Sequence, residues 1–425
     1  DISTMHALGM KALMRHYRGM VELSENKVFG MAVQLCTREK WEYQGSRDRF
    51  IYVVTKLVDV YRMTLAQSVD DLVDLAYRHE ISVLGNEIEC ALSVINHLNK
   101  YARGLVPRKG KLKVDFIDMI YLPATMKMNL PTYDEVFVDE CQDLSKAQHI
   151  IVRKLIKKGG RLVAVGDKYQ SIYSFMGADM RSFQQLSEGP NVVNLPLTTT
   201  YRCAKSIVDR VNKVYDNIQA APNAIEGEVI TGQVKDAQSG DFVLCRNTAP
   251  LIEVFYYFIE NGKTCYIKGK SIGTNLISMM NEYRSLPLER ALDALREKLG
   301  VLLLELASKG MKKPNNHPRY IDLEEKVNVI ESIAKRCRYT HEIIKALDNM
   351  FGEDKEGIVL STIHKSKGLE ASRVFIVRPD LLPSKRATQG WQVEQERNLE
   401  YVAYSRAKDS LIFTNDVDDN GVIES

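Results

Sequence analysis

The chain has 425 residues, 45% of them hydrophobic, which is enough for two to four domains with apolar cores and excludes a largely disordered protein. Charged residues make up 27% and nearly cancel to a formal net charge of +3, so the overall charge neither requires nor excludes a nucleic-acid partner. No apolar stretch approaches the roughly 20 residues of a membrane span, no signal-peptide pattern opens the chain, and the seven cysteines lack metal-binding spacing. We therefore expect a cytoplasmic protein with reduced cysteines.

A helical pattern opens the chain, with apolar residues recurring at helical spacing over residues 10–17. Ser3 or Thr4 can cap this helix. Thr4 and His6 lie at its start, where one interpretation has them contact a phosphate or a base. In the other interpretation they are only a cap and a surface histidine.

The stretch from about residue 22 to 121 is almost wholly helical in pattern and carries no motif of known chemistry. A basic cluster at residues 103–113, close to Tyr101, is its most charged part. Such a cluster can grip a nucleic-acid backbone or can be a solvated face, and both interpretations stay open at this point.

An apolar run that ends in carboxylates is the strongest chemical signal of the first half. Residues 136–138 suit a short buried strand, and Asp139 and Glu140 follow at its carboxyl end. That edge of an open α/β sheet is where ligands bind, and a carboxylate pair there suits a magnesium ion and an activated water. The alternative is a surface turn rich in acids.

A helix pattern at residues 145–158 and a second strand at residues 161–165 follow within about thirty residues, which predicts a parallel βαβ unit. The second strand leads into Asp167 and Gln170. Because the carboxyl ends of parallel strands meet at one edge, we expect these two residues to converge with Asp139 and Glu140. A nucleoside triphosphate with magnesium is the ligand that such a cluster fits.

Two aromatic residues, Tyr173 and Phe175, come after the second strand without a helical stripe. Since every base has a π face, such aromatics can form a stacking platform for a single strand. They can equally belong to a loop that packs into the core.

The second half repeats the alternation of strands and helices and predicts a second α/β unit. Residues 276–350 return to helical periodicity. Arg202 and Arg406 are surface arginines when taken singly, but they fall at the ends of these elements, from which they can reach across a cleft. Strands are expected at residues 192–195, 241–246, 264–268, 358–362, 373–377 and 411–413, and a helix is expected at about residues 204–217.

Five ordered motifs resemble those of the UvrD/Rep family of superfamily 1 DNA helicases. They are Asp-Glu-x-Gln-Asp, Gly-Asp-x-x-Gln-Ser-Ile-Tyr, Tyr-Arg, Thr-x-His-x-Ser-Lys-Gly-Leu-Glu and Tyr-Val-Ala-x-Ser-Arg-Ala, which begin at Asp139, Gly166, Tyr201, Thr362 and Tyr401. The resemblance implies an α/β fold of the P-loop NTPase type with two RecA-like parallel-sheet domains. We expect these domains at residues 1–203 and 204–425, with mostly helical insertions at about 22–121 and 276–350.

The resemblance also implies an activity, namely ATP-dependent 3′ to 5′ movement on single-stranded DNA with duplex unwinding. ATP and Mg²⁺ are the implied cofactors, and single-stranded DNA and single/double-strand junctions are the implied partners. A bacterial or phage-infected cell is the expected setting, with DNA repair, DNA replication and phage growth open as roles.

Residue by residue, the resemblance implies one set of nucleotide contacts and one set of DNA contacts. In the nucleotide site it implies Asp139 for magnesium, Glu140 as metal ligand and water-activating base, Gln170 as γ-phosphate sensor, Arg202 and Arg406 as arginine fingers, Tyr201 against the adenine and Glu370 on the ribose, with Asp167 and Gly368 beside them. Along the single-strand track it implies Thr4, His6, Tyr173, Phe175, Thr362 and His364.

The chain departs from the family pattern in its phosphate loop. The 425 residues contain no Gly-x-x-x-x-Gly-Lys-Ser/Thr, which the family carries ahead of the position of Thr4. We therefore expect that an N-terminal strand and phosphate loop are missing, and that this polypeptide alone binds ATP poorly and hydrolyses little. The alternative is a non-hydrolysing DNA-binding or scaffold protein derived from a helicase. Met176, where the family usually has arginine, and a short second insertion are further departures.

Overall fold

A computed structural model describes residues 2–42, 47–78, 81, 83, 85–104, 110–172, 182–188, 191–308, 314–352, 356–417 and 423. The chain divides into two compact units, Asp1–Asn194 and Leu195–Ser425, which we call the first and the second unit. Within the described ranges, no helix has the length and apolar character that crossing a membrane requires.

The first unit combines helices with two small parallel sheets. One sheet pairs β1 (Val21–Leu23) with β2 (Leu112–Val114), and the other pairs β3 (Tyr133–Val138) with β4 (Ile156–Ala164). The helices are α1 (Met5–His16), α2 (Lys27–Arg38), α3 (Arg47–Thr64), α4 (Val69–Arg78), α5 (Glu87–Ala102), α6 (Asp118–Thr125), α7 (Lys146–Leu155) and α8 (Ser182–Ser187).

The predicted βαβ unit consists of β3, α7 and β4. A capping box starts α7, because the hydroxyl of Ser145 accepts a hydrogen bond from the backbone N–H of Gln148 (3.3 Å) and the Gln148 side chain accepts one from the N–H of Ser145 (2.7 Å). Ile156, which the sequence predicts as helix, instead opens β4 because it pairs with Tyr133 of β3. The strand is therefore longer than its sequence pattern indicates.

Helices α2 to α5 form a helical region with an apolar core of its own around Leu35, Phe50, Leu57 and Val94. Strands β1 and β2 pair in parallel at the two ends of this region. Strands of three residues are too short to show an alternating pattern, which is why the helical periodicity conceals them.

A buried ion network ties the helical region to α6. The guanidinium of Arg62, on α3, donates two hydrogen bonds to Asp115 (3.0 and 2.8 Å) and one to Asp118 (2.9 Å). Lys27, on α2, also pairs with Asp118. Arg62, Asp115, Asp118 and Lys27 are all buried, so each charge depends on its partners for stabilisation.

The second unit is built on a seven-stranded parallel sheet in the order β10-β9-β11-β8-β12-β13-β7. Its strands are β7 (Glu228–Gly232), β8 (Phe242–Cys245), β9 (Cys265–Lys268), β10 (Phe351–Gly352), β11 (Ile358–Thr362), β12 (Ala371–Ile376) and β13 (Ala407–Thr414), and a separate pair joins β5 (Thr199–Thr200) to β6 (Gln219–Ala220). The predicted fold class, α/β with parallel sheets and many helices, is confirmed.

Seven helices accompany the described strands of the second unit. They are α9 (Lys205–Asn212), α10 (Ala249–Glu260), α11 (Lys270–Asn281), α12 (Leu288–Ser308), α13 (Pro318–Ala334), α14 (Thr340–Met350) and α15 (Gly390–Tyr404). One apolar core joins the sheet to α10 through α14, with Val243, Phe258, Leu295, Ile330 and Phe375 among its fully buried members. The sheet edge at the carboxyl ends of the strands is thereby held on a rigid support.

The seven cysteines are free thiols, and all except the half-buried Cys337 are buried. Burial raises the thiol pKa at each of them, for example to about 11 at Cys141 and to about 12 at Cys245 and Cys265. A thiol with a raised pKa carries little thiolate near neutral pH and reacts slowly.

Candidate functional site

The carboxyl ends of β3 and β4 lie side by side in the first unit. The N–H of Val165 donates to the carbonyl of Val138 (2.8 Å), and the N–H of Cys141 donates to the carbonyl of Val165 (3.0 Å). Asp139 and Glu140 follow β3 directly and are both exposed. The backbone of Glu140 is left-handed (φ 51°), which turns the chain sharply into a short 3-10 helix (Cys141–Asp143) that precedes α7.

The side chain of Gln142 joins the two strand ends. Its amide N–H₂ donates to the Glu140 carboxylate, and its oxygen accepts from the backbone N–H of Asp167 (3.0 Å). The Asp167 carboxylate in turn accepts from the side-chain amide of Gln170 (3.0 Å). One chain of hydrogen bonds therefore brings together Glu140, Gln142, Asp167 and Gln170.

Gly166 lets the two strand ends approach so closely. A Cβ atom at this position would lie 2.3 Å from the Gln142 side-chain oxygen and 2.7 Å from the sulfur of Cys141. The closeness to Gln142 thus requires a residue without a side chain.

The exposed carboxylates of Asp139 and Glu140 are hard oxygen donors of the kind that Mg²⁺ prefers. Among the described residues, no group of three or more His, Cys, Asp or Glu side chains could hold a metal ion. A magnesium ion held here would need the rest of its octahedral shell from water and from phosphate oxygens, which is how Mg²⁺ usually sits in nucleotide sites. The donor set therefore fits magnesium carried by a phosphate ligand.

A second cluster lies in the second unit, where the Glu370 carboxylate is held between two cations. Arg202 Nε lies 2.5 Å from one carboxylate oxygen, and Lys408 Nζ lies 2.7 Å from the other. The hydrogen bond from Lys408, with the positive charge of Arg202, holds the pKa of Glu370 below its ordinary value although partial desolvation opposes it. Glu370 is therefore a carboxylate at neutral pH.

Arg406 lies in the same region but is only 1% exposed. Its guanidinium donates to the backbone carbonyls of Leu369 (3.1 Å) and Val402 (3.1 Å). The backbone carbonyl of Arg406 accepts from the N–H of Ala371 (3.1 Å). In this structure Arg406 thus holds the segment around Gly368 and Glu370 in place through hydrogen bonds to its backbone.

The remaining predicted residues of the second unit lie at strand ends. Tyr201 follows β5 and is 83% exposed, so its ring face is available. Thr362 closes β11, and His364 lies in the turn after it. Burial and the charges of Arg246 and Lys365 lower the pKa of His364 to about 3, so its imidazole is neutral at physiological pH.

Thr4 and His6 lie at the start of α1. The Thr4 hydroxyl accepts from the N–H of Ala7 (3.2 Å), so Thr4 does act as the helix cap. His6 is exposed, and its ring meets that of Phe116 edge-on at 6.3 Å. Both side chains are still accessible at this surface. Tyr173, Phe175 and Met176 lie outside the described residues.

Gln142 and Lys408 are the site residues that the sequence interpretation did not single out. Gln142 belongs to the Asp-Glu-x-Gln-Asp motif, so its position was a signal without an assigned role. Lys408 had no such signal, because its closeness to Glu370 depends on strand register. Ala371 pairs with Ala407 across β12 and β13, which places the residues flanking that pair together.

Two family models match the chain, and together they extend over more than half of its length. The model for the UvrD/REP helicase N-terminal domain matches residues 1–191. The model for the UvrD-like helicase C-terminal domain matches residues 310–417. The motifs with Asp139, Gln170, Glu370 and Arg406 all lie within these ranges.

Curated relatives from bacteria and eukaryotes agree with the family models. The ATP-dependent DNA helicase PcrA of Staphylococcus epidermidis is 34% identical over 110 residues, which are 24% of this chain and 15% of the relative. F-box DNA helicase 1 of Gallus gallus is 26% identical over 345 residues, or 74% of this chain and 32% of the relative. F-box DNA helicase protein 1 of Schizosaccharomyces pombe is 25% identical over 67% of this chain and 34% of the relative. The chain thus spans about a third or less of these relatives.

Proposed function

Because the chain belongs to the UvrD/Rep family of DNA helicases, we propose that it couples ATP hydrolysis to 3′ to 5′ movement along single-stranded DNA and to duplex unwinding. Single-stranded DNA and single/double-strand junctions are the proposed partners, ATP and Mg²⁺ the proposed cofactors, and the cytoplasm the proposed location. Relatives come from both bacteria and eukaryotes, so the comparisons favour neither a bacterial nor a phage origin.

The hydrogen-bond chain from Glu140 to Gln170 is the observation that carries the proposal. Phosphoryl transfer requires a placed water, a sensor of the γ-phosphate and neutralised charge. Gln142 holds the Glu140 carboxylate at the strand end, where it can accept a proton from an attacking water. Gln170 is held by Asp167 at the neighbouring strand end, where it can contact the γ-phosphate.

Asp139 and Glu140 would hold the magnesium ion, which neutralises phosphate charge when it is bound. The exposed ring of Tyr201 supplies a face for an adenine, and the Glu370 carboxylate can accept hydrogen bonds from ribose hydroxyls. Gly368 leaves the neighbouring surface open, since a Cβ there would meet nothing within 4 Å.

Arg202 and Arg406 differ in how readily each can act as an arginine finger. Arg202 is partly exposed and held by a surface ion pair to Glu370, which costs little to exchange for a phosphate. Arg406 must first leave the carbonyls of Leu369 and Val402. We therefore propose that Arg202 is the arginine finger that moves easily to the phosphates. Arg406 would have two roles, since it would act as a finger and also hold the Gly368–Glu370 segment in place.

The proposed DNA track uses Thr4, His6, Thr362 and His364, together with Tyr173 and Phe175. Since the His364 imidazole is neutral, it would contact DNA as a hydrogen-bond donor or a stacking ring rather than as a cation. Binding of single-stranded DNA should consequently lack a titration from this histidine between pH 6 and pH 8.

The test is ATP hydrolysis by the protein encoded by the whole gene, with and without single-stranded DNA, for wild type and Glu140→Gln. We expect stimulation by DNA, and a fall in kcat of roughly 10² to 10⁴ in the variant because a general base is lost. Glu135→Gln is the matched control, since Glu135 is an exposed β3 carboxylate that pairs with Arg161 outside the site. A lack of DNA stimulation, or equal rates for wild type and Glu140→Gln, would refute the proposal.

A non-hydrolysing DNA-binding or scaffold protein is the second candidate. It is favoured by one observation, the lack of a phosphate-loop motif in the 425 residues. These residues alone should bind ATP weakly and turn it over little. The candidate predicts DNA binding that ATP and Glu140→Gln leave unchanged, whereas the helicase predicts an affinity for single-stranded DNA that depends on bound nucleotide.

A further inference from the structure

A group of five exposed cations lies where three segments of the first unit meet. We call it the basic surface, and it consists of Arg18, Lys100, Arg103, Lys111 and Lys113. Arg18 follows the end of α1, Lys100 and Arg103 end α5, and Lys111 and Lys113 lie at and beside the start of β2. None of these segments carries the residues of the proposed nucleotide site.

Hydrogen bonds hold the three segments together. The Tyr17 hydroxyl, next to Arg18, donates to the carbonyl of Ala102 (2.6 Å), which precedes Arg103. The N–H of Leu112, between the two lysines, donates to the carbonyl of Met20 (2.8 Å). Leu13, Ala102 and Leu112 share one buried apolar cluster, with Tyr17 packed against it. The cations are therefore displayed on one supported surface.

The strand and helix periods explain why the cations share this surface. Leu112 is buried and Lys111 and Lys113 are exposed, so the two lysines project from the same side of β2. Lys100 and Arg103 are three residues apart at the end of a helix, a spacing that makes them neighbours. Proximity of like charges costs free energy unless a counter-charge is bound.

The protein supplies little of that counter-charge. None of the five cations takes part in an ion pair with another described residue. The exposed carboxylate of Glu22, which pairs in register with Lys113, is the acid that β1 places beside them. A helix C-terminus favours nearby cations, which can account for Lys100 and Arg103. It does not account for Lys111 and Lys113, which lie just before β2 and within it.

We propose that the basic surface binds the sugar-phosphate backbone of duplex DNA. Phosphates are the anions that a nucleic-acid backbone presents in a regular row, and their neutralisation by lysine and arginine releases counterions. Base stacking would require exposed aromatic rings. The nearby Tyr17 and Tyr101 are only partly exposed, and their hydroxyls bond to backbone groups. The exposed ring of Phe116 lies against His6 at the start of α1, which is the opposite end of that helix from Arg18. The surface therefore suits backbone contact with a duplex better than capture of a single strand, and it needs no nucleotide.

The test compares the wild-type chain with the triple variant Arg103→Gln, Lys111→Gln, Lys113→Gln. Fluorescence anisotropy with a blunt-ended duplex and with a single-stranded oligonucleotide gives the affinities at several salt concentrations, without ATP. The triple variant Lys146→Gln, Arg153→Gln, Lys158→Gln removes the same charges from exposed positions on α7 and β4 and is the control. Thermal unfolding of each variant verifies that its fold is retained.

We expect the basic-surface variant to bind the duplex at least about tenfold more weakly near 0.1 M salt. The slope of log affinity against log salt should become shallower by about 2 to 3, because each lost phosphate contact contributes roughly 0.9. Binding of the single strand should change less, and the control should stay close to wild type.

Three outcomes would overturn the proposal. The first is a duplex affinity of the basic-surface variant equal to that of wild type. The second is an equal loss of duplex affinity in the control variant. The third is a wild-type chain that binds vesicles containing anionic phospholipid through this surface but does not bind the duplex. Because no ATP is present, these outcomes leave the proposed hydrolytic activity untouched, and failure of DNA-stimulated hydrolysis would not affect this measurement.

Discussion

Gly166 and Gln142 form the contact on which the geometry of the first-unit cluster depends. Gln142 is 2% exposed and uses both ends of its amide, one toward Glu140 and one toward Asp167. A side chain at position 166 would occupy the space of the Gln142 oxygen. The orientation of the proposed base thus depends on a residue that has no functional group.

The first prediction concerns Gly166→Ala. We expect a loss of about 1 to 3 kcal/mol in the free energy of unfolding, because an added methyl in a packed site forces its neighbours to move. Gly30→Ala is the control of opposite sign. Gly30 lies inside α2, and a Cβ there would meet nothing within 4 Å, so alanine should stabilise the helix by roughly 0.5 to 1 kcal/mol. Urea unfolding measures both, and equal effects of the two substitutions would contradict the packing argument.

The second prediction concerns His364 and pH. Its pKa falls from an ordinary 6.5 to about 3 in the folded chain, so between these values the unfolded chain binds a proton that the folded chain does not. The contribution of neutral His364 to the free energy of unfolding is fully present above pH 6.5. It is lost as the pH falls toward 3, by at most about 1.4 kcal/mol per pH unit. Urea titrations between pH 4.5 and pH 7 should show a smaller loss of stability on acidification in His364→Gln than in wild type. Parallel curves for wild type and His364→Gln would refute the depressed pKa.

At the scale of elements, local pattern predicted well where a strand or helix is long and amphipathic. The strand 358–362 and the βαβ order of β3, α7 and β4 follow directly from apolar runs and a helix cap. The strand expected at residues 192–195 is wrong, because an apolar run forms a strand only when a partner is available. Leu195 is 81% exposed and no strand pairs with it among the described residues.

Helix α9 shows the opposite limitation. Here the apolar periodicity of the sequence predicted a longer helix, although an asparagine within it can end a helix. The sequence predicts a helix to residue 217, but α9 ends at Asn212. The Asn212 side chain accepts from the N–H groups of Asn217 and Ile218 and donates to the Ile218 carbonyl (2.8 Å). An asparagine that bonds to nearby backbone in this way competes with the helix, and only the folded chain reveals that it does so.

The third prediction concerns the ion network that joins α3 to α6. Replacing Arg62 by leucine should destabilise the first unit by about 3 to 5 kcal/mol, because Asp115 and Asp118 keep buried charges without their main partner. Arg38→Leu is the control, since Arg38 is exposed and its pair with Glu39 is worth at most about 1 kcal/mol. Denaturant unfolding of both variants checks the difference, which should vanish if water or other groups compensate the two aspartates.

At the scale of the whole molecule, the proposed nucleotide residues are distributed over two units with separate apolar cores. From the sequence order of the motifs we expected strand ends at one sheet edge to bring Glu140, Asp167 and Gln170 together, and a chain of hydrogen bonds joins them in the first unit. The same order placed Tyr201 and Arg202 before the expected domain boundary at residue 203, whereas both lie in the second unit. It did not predict that Arg406 would be buried or that Lys408 would face Glu370, because both depend on packing and register between distant segments.

The fourth prediction concerns the connection between the units. Residues 191–198 have no regular structure, and Val193, Leu195 and Leu197 are largely exposed. Exposed irregular segments are preferred sites of proteolysis. Limited chymotrypsin digestion should therefore cleave after Leu197 before it cleaves inside either unit, as mass spectrometry of the fragments would show. Cleavage after Leu195 is not expected, because Pro196 follows it. Early cleavage within β8 or β11 would instead indicate that the second core is unstable.

The sheltered thiols of the chain have a practical consequence for optical experiments. Because six of the seven cysteines are buried and all seven have raised pKa values, dyes that react with thiolate should leave the native residues largely unlabelled at neutral pH. One new cysteine on an exposed position of each unit would then carry a donor and an acceptor fluorophore in an otherwise wild-type chain. Energy transfer between them would follow the separation of the two units while DNA or nucleotide is added.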